Sequence, residues 1–302
     1  MNLRNSRTIA VFAWALASTA AVAQFDPEAS SNPNSLFKIP VYEQVYKVRV
    51  WRDMDLLEKQ NKGFFAMGNE ISRVIIEAVR SGEISKVYMN DSLSEKSVKP
   101  KDDFFQAMQM RPKVDYPPYD AAASYVTGDR VRFNNIDYEA TQDNSAKAPD
   151  APPPNDYWQA TKAGMAVDFG PRDMFKLEMM EDMIFDKRRS RLYYDIQAFQ
   201  IWAWDDNGKA FKPLGWVKYK DMERVFRAHP EKSVWFNRQN TAQNRNFADA
   251  FLLRLFHATI KKLENPDDLE LSSIYTNYKE SVMAREWEEM KLMEKEHNLW
   301  EF

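Results

Sequence analysis

The groups best suited to hold a transition metal or pass a proton near neutral pH are three histidines, His229, His257 and His297. Their spacing makes no site: none falls in an HxxxH or HExxH arrangement, and no cysteine exists to complete a tetrahedral set. His257 lies in an apolar run that reads as helix and is expected as a hydrogen-bonded core residue. His229 precedes Pro230 and is expected at a helix end. The adjacent carboxylates Asp102-Asp103, Asp205-Asp206 and Asp267-Asp268 could pair for sugar hydrolysis, which needs two carboxyls ~5–10 Å apart across a cleft. All three pairs fall in stretches that read as loops or turns, where neighbouring aspartates are turn formers. With only 8 glycines there is no Gly-rich phosphate loop, and no nucleophile elbow is present. The expected catalytic, metal and cofactor sets are therefore empty, and the chain reads as a non-enzyme.

Binding chemistry is better represented. Aromatic side chains, methionine and arginine dominate protein interfaces, and they cluster here. Met283, Met290 and His297 recur every seven residues, as do Met293 and Trp300, with Trp287 between them; this heptad-like seam among charges suits docking on a neighbour. Arg188, Arg189 and Arg191 form a basic cluster that could meet an acidic partner or simply solvate a hairpin tip. Tyr125, Tyr138 and Trp158 could stack on sugar rings, or form the core of a small module.

These groups must be positioned by the following elements. Val41 to Leu57 reads as a strand, and Phe65 to Arg80 as a helix stopped by Gly82. Lys86 to Met89 reads as a strand and Glu95 to Asp103 as a loop. Prolines bracket residues 112–162, where Arg130–Phe133 and Asp137–Thr141 are strand patterns; this region reads as an insertion. Residues 174–204 read as a hairpin turning at Asp186–Ser190, with Tyr194, Ile196, Ala198, Trp202 and Trp204 on one face. Asp205 to Gly208 reads as a turn. Helices are expected at Lys220–Ala228, Asn246–Leu263 and Tyr278–Leu299. The fold class is α+β: one main mixed domain at 41–115 and 165–302, a small β-rich inserted module at 116–164, and a C-terminal helix.

Arg4 and Arg7, an apolar run from Ile9 to Ala17 and Ala21-Val22-Ala23 make residues 1–23 a signal peptide, too short to span a bilayer. Residues 24–40, rich in Pro and Ser, are expected to be a flexible leader. Without cysteine there is neither a lipoprotein cleavage site nor a disulfide framework. The formal charge is −3, which predicts no nucleic-acid field and no direct membrane insertion.

Three stretches carry a family resemblance: Trp51-Arg52-Asp53-Met54-Asp55-Leu56-Leu57-Glu58-Lys59-Gln60-Asn61, Ser233 to Asn265, and Tyr278 to Glu301 ending in Glu296-His297-Asn298-Leu299-Trp300-Glu301. In order and spacing they resemble the GldN/PorN family of gliding-motility and type IX secretion proteins. The resemblance implies a structural subunit of a periplasmic ring, formed with a GldK/PorK-like outer-membrane lipoprotein and accompanied by GldL/GldM-like motor proteins. It implies a periplasmic location, peripheral to the inner face of the outer membrane. Within the insert, Tyr125 to Phe133, Tyr138-Glu139-Ala140, Pro149 and Trp158 resemble small chitinase-type carbohydrate-binding modules. In those modules an aromatic residue commonly follows the Tyr-x-Ala strand, but here Thr141-Gln142-Asp143 stand in its place. The alternative function is accordingly a periplasmic glycan- or peptidoglycan-binding protein.

Overall fold

A computed structural model describes residues 31–300 other than 111–115, 135, 146, 150–155, 161–166 and 207. The expected signal peptide, 1–23, lies outside the described residues. The fold is α+β, built on a seven-stranded antiparallel sheet. Its strands are β1 (Gln44–Asp55), β2 (Val87–Tyr88), β3 (Val98–Lys99), β4 (Lys176–Asp186), β5 (Arg191–Asp205), β6 (Ala210–Lys218) and β7 (Thr259–Leu263). Their spatial order is β7-β1-β4-β5-β6-β2-β3. Six α-helices accompany them among the described residues: α1 (Ile71–Ser81), α2 (Lys101–Ala107), α3 (Tyr219–Ala228), α4 (Phe247–Leu252), α5 (Leu271–Ile274) and α6 (Tyr278–Leu299).

Side-chain alternation along β1, β4 and β5 sorts the sheet into faces. Met54, Leu177, Met179, Phe199 and Ile201 lie on one face and form the main core with the apolar stripes of α1, α3 and α4. Further along that face, Val50, Met183, Phe185 and Leu192 make a second cluster, closed by Ile260, Leu271 and Leu292. Between the two clusters, in the same alternation, stand Glu181, opposite Val50, and its diagonal neighbour Arg52, opposite Met179, both buried. The opposite face carries a smaller cluster of Trp51, Met180, Ala198 and Trp216 under Tyr88 and Leu93.

Four expected elements are corrected. The helix anticipated over 65–80 begins only at Ile71, because Phe65–Ala66 and Asn69–Glu70 pair as a tight hairpin with Gly68 at φ 86°. The loop anticipated over 95–103 contains β3 and the start of α2, so Asp102 and Asp103 occupy a first helical turn, where carboxylates complement the helix dipole. The long helix over 246–263 is split. α4 ends at Leu252, Arg254 adopts a left-handed φ of 52°, and Thr259–Leu263 leaves as a strand that pairs with β1. Pairing with the edge of β1 and the buried apolar contacts of Ile260 outweigh continued helix, which the β-branched Thr259 and Ile260 also disfavour. Finally, Met180 opposes Ala198 while Glu181 opposes Ile196, leaving Gln197 as a bulge in β5. The bulge flips the alternation: Phe199, Ile201 and Ala203 follow Ile196 into the main core, and Ala198, Trp202 and Trp204 turn away from it.

That bulge also anchors the N-terminal segment. Residues 24–30 lie outside the described residues, but from Ser31 onward the anticipated leader is held on the sheet. Asn32 Nδ2 donates to Gln197 Oε1 at 2.8 Å, the Leu36 amide donates to Asp195 Oδ1 at 3.2 Å, and Phe37 packs on Tyr193. These bonds satisfy polar groups that the bulge leaves buried on β5.

Gln109–Met110 pairs with Val167–Asp168, so the chain returns beside the point where it left for the intervening residues. Between them, Arg130–Phe133, Ile136–Ala140 and Trp158–Ala160 form a three-stranded sheet with its own small cluster of Val131, Ala140 and Trp158.

Candidate functional site

α6 is apolar on two sides and seated by only one. Asn277 caps it, its side chain accepting from the Lys279 amide, and its 22 residues extend ~33 Å. Ser281, Ala284 and Leu292 are buried against the body. Met283, Trp287, Met290 and Met293 project on the other side, with Met283 68% and Met290 57% exposed.

Polar contacts do much of the seating. Arg52 Nε donates to Glu181 Oε1 at 2.5 Å, and its Nη1 donates to Glu289 Oε2 of α6 at 2.6 Å. Arg254 Nη1 donates to the second Glu181 oxygen at 2.7 Å while its guanidinium lies 4.2 Å from the Tyr194 ring. Burial raises the Glu181 pKa, but the two arginines outweigh it and hold the carboxyl below its ordinary range. The Tyr194 hydroxyl donates to Glu296 of α6 at 3.3 Å; its pKa is pushed up to about 12, first by burial and then by Glu296. One buried carboxylate thus ties β1, β4, the α4–β7 connection and α6 together.

A second constellation joins the stretches 51–61 and 233–265. Asn61 Nδ2 donates to the carbonyls of Asp55 and His257 at 2.7 and 2.8 Å, and its Oδ1 accepts from the His257 amide at 2.8 Å. His257 Nδ1 sits 2.7 Å from Glu58 Oε2. Its side chain is half exposed in the connection between α4 and β7, which corrects the expected core position. The Phe236 amide donates to the Gly63 carbonyl at 2.9 Å, and the Trp235 indole lies over Gly63 so closely that a Cβ there would sit 2.5 Å from Nε1. The junction borders an open apolar groove of 680 Å³ lined by Leu57, Phe65, Met67 and Phe236. A further hollow of 670 Å³ shares Lys62 and Phe236 with it and adds Lys59 and Arg238.

The other sequence-derived residues are distributed as follows. Arg188 and Arg189 lie at the β4–β5 turn with outward-facing side chains; Arg189 Nη1 pairs with Asp186 at 2.7 Å, and Arg188 stands 3.7 Å from Glu43. Trp300 meets Phe185 edge-on at 6.0 Å and remains half exposed. Tyr125 and Trp158 pack on each other at 5.2 Å, Trp158 Nε1 donates to the Lys147 carbonyl, and Tyr138 joins the same cluster. Trp158 is buried in the small module, and Tyr125 and Tyr138 are partly buried against its cluster. His229 caps α3, with Nε2 2.9 Å from Glu83, and His297 lies on α6, so the three histidines occupy separate elements.

The apolar groove was not anticipated from sequence, because Leu57, Met67 and Phe236 are scattered and only the folded chain gathers them. The family described as "Gliding motility associated protein GldN" matches residues 39–301. The chain belongs to the GldN family. It is therefore a component of the gliding-motility and type IX secretion machinery. No curated protein matches the chain. The stretches 51–61, 233–265 and 278–300 all fall inside the family match, and they build the α6 seat and the Asn61–His257 junction.

Proposed function

We propose that this chain is a structural subunit of a periplasmic ring in the type IX secretion machinery, held at the inner face of the outer membrane by a GldK/PorK-like lipoprotein. GldL/GldM-like motor proteins stand beside that ring in the energised envelope. The observation that carries this reading is the outward Met283–Trp287–Met290–Met293 stripe of α6, on a helix whose opposite side is already docked. Such a stripe is expensive to leave in water and is rich in the residue types that anchor interfaces. Among the described residues no helix is long and apolar enough to cross a membrane, and the proposal assigns membrane attachment to the partner. Trp300, Arg188 and Arg189 are secondary contact candidates. Residues 116–164 act as an appendage to the main domain.

The test is affinity purification of the tagged chain from detergent-solubilised envelope. The reading expects the lipoprotein and the motor proteins in the eluate at reproducible stoichiometry; recovery of the chain alone from intact envelopes refutes it.

A further inference from the structure

We infer that the groove between Leu57, Met67 and Phe236 receives the exposed α6 stripe of a second copy of this chain. The inference rests on the subunit reading above and specifies one of its contacts. Both surfaces are apolar and lack an occupant among the described residues: Met67 is 89% exposed at its hairpin tip, with Leu57 and Phe236 beside it.

Their charged rims are opposite. Lys62 lines the groove, Lys59 and Arg238 line the hollow that adjoins it through Lys62 and Phe236, and Glu286 and Glu294 flank Met290 on α6; among the described residues none of these five is in an ion pair. Spaced four residues to either side of Met290, these carboxylates share its side of the helix. Within one molecule the stripe cannot reach the groove, because Ser281, Ala284 and Leu292 hold α6 on the body with the stripe facing outward. A pairing of α6 with a second α6 would oppose Glu286 and Glu294 to themselves, which like-charge repulsion disfavours. The remaining arrangement joins two different patches, one from each copy. Such a heterologous contact repeats head to tail and closes if its rotation permits.

Because the chain has no cysteine, its geometry can be tested by single-site cross-linking. Purified Met67→Cys and Met290→Cys chains, mixed and mildly oxidised, should form a disulfide-linked dimer that neither gives alone. Glu286→Lys with Glu294→Lys should lower the yield roughly tenfold, as should Lys62→Glu with Arg238→Glu, since misplaced charge at a rim opposes encounter. Mixing the two charge-reversed chains, each carrying its cysteine, should restore it. All four charge positions are on the surface, and an unchanged melt confirms that each variant is folded. Dimerisation of Met290→Cys alone, absence of a mixed dimer, or failure of the reversed pair to rescue overturns the proposed contact. If those failures occur while the native chain still co-purifies with its lipoprotein, the contact is lost and the subunit reading stands.

Discussion

Glu181→Gln removes one negative charge from a site where two arginines converge, and its cost can be worked out from their surroundings. Glu181 is fully buried and Arg52 is 3% exposed, so neutralising the carboxylate strands Arg52 in a poorly solvated position. Removing one partner of a fully buried pair costs ~3–5 kcal/mol. Here Arg52 keeps Glu289, and Arg254 is about one-third exposed and therefore screened, which favours the lower end, about 3 kcal/mol. For a chain of this size that corresponds to a fall in Tm of roughly 6–12 °C. The pH dependence follows from the sign of the shift. The folded pKa of Glu181 lies below its unfolded value, so its contribution is present above the unfolded value of ~4.3 and is lost as pH falls through the folded one. Calorimetric melts of wild type and variant should differ most near pH 7 and converge in acid. Replacing the group as a whole, with Arg52→Met, Glu181→Leu and Arg254→Leu, should recover most of the loss. A Glu181→Gln chain melting within 1 °C of wild type at pH 7 would refute the role assigned to this cluster.

Gly63→Ala should cost ~1–3 kcal/mol by forcing the Trp235 ring out of its place, read as a lower melting temperature and altered tryptophan fluorescence; an unchanged emission spectrum would contradict it. Deleting the residues between Met110 and Val167 and bridging the gap with a short Gly/Ser linker should leave a soluble, cooperatively melting chain, because those two residues are already paired. An insoluble or non-cooperative product would make the insert part of the main core. Met290→Lys should change monomer stability by less than ~0.5 kcal/mol, as expected for an exposed site, yet reduce incorporation into the envelope assembly. A large loss of monomer stability would instead place Met290 in the core.

The main hairpin and the terminal helix could be read from periodicity, since β4 and β5 are long and α6 carries an evident seam. The α4–β7 break could not. Phe247, Phe251, Leu255, Ile260 and Leu263 satisfy a helical pattern, and only the tertiary pairing of β7 with β1 reveals the change. The Gln197 bulge was equally hidden, because a single extra residue reverses every later side chain without leaving a compositional mark. Glu181, Asp182 and Asp195 look like solvated strand positions until their partners from distant segments are seen. Of the candidate interface, the methionine stripe was legible from its spacing. The Lys59–Lys62–Arg238 rim was not, because two remote loops supply it.

The central claim is that a partner lipoprotein, not this chain's own surface, holds the subunit at the outer membrane. Its most direct measurement is fractionation of cells from which the gene for that lipoprotein has been removed. The account predicts that the chain then leaves the outer-membrane fraction and is found in the soluble periplasm or is degraded. Continued association with the outer membrane at the wild-type level would contradict it.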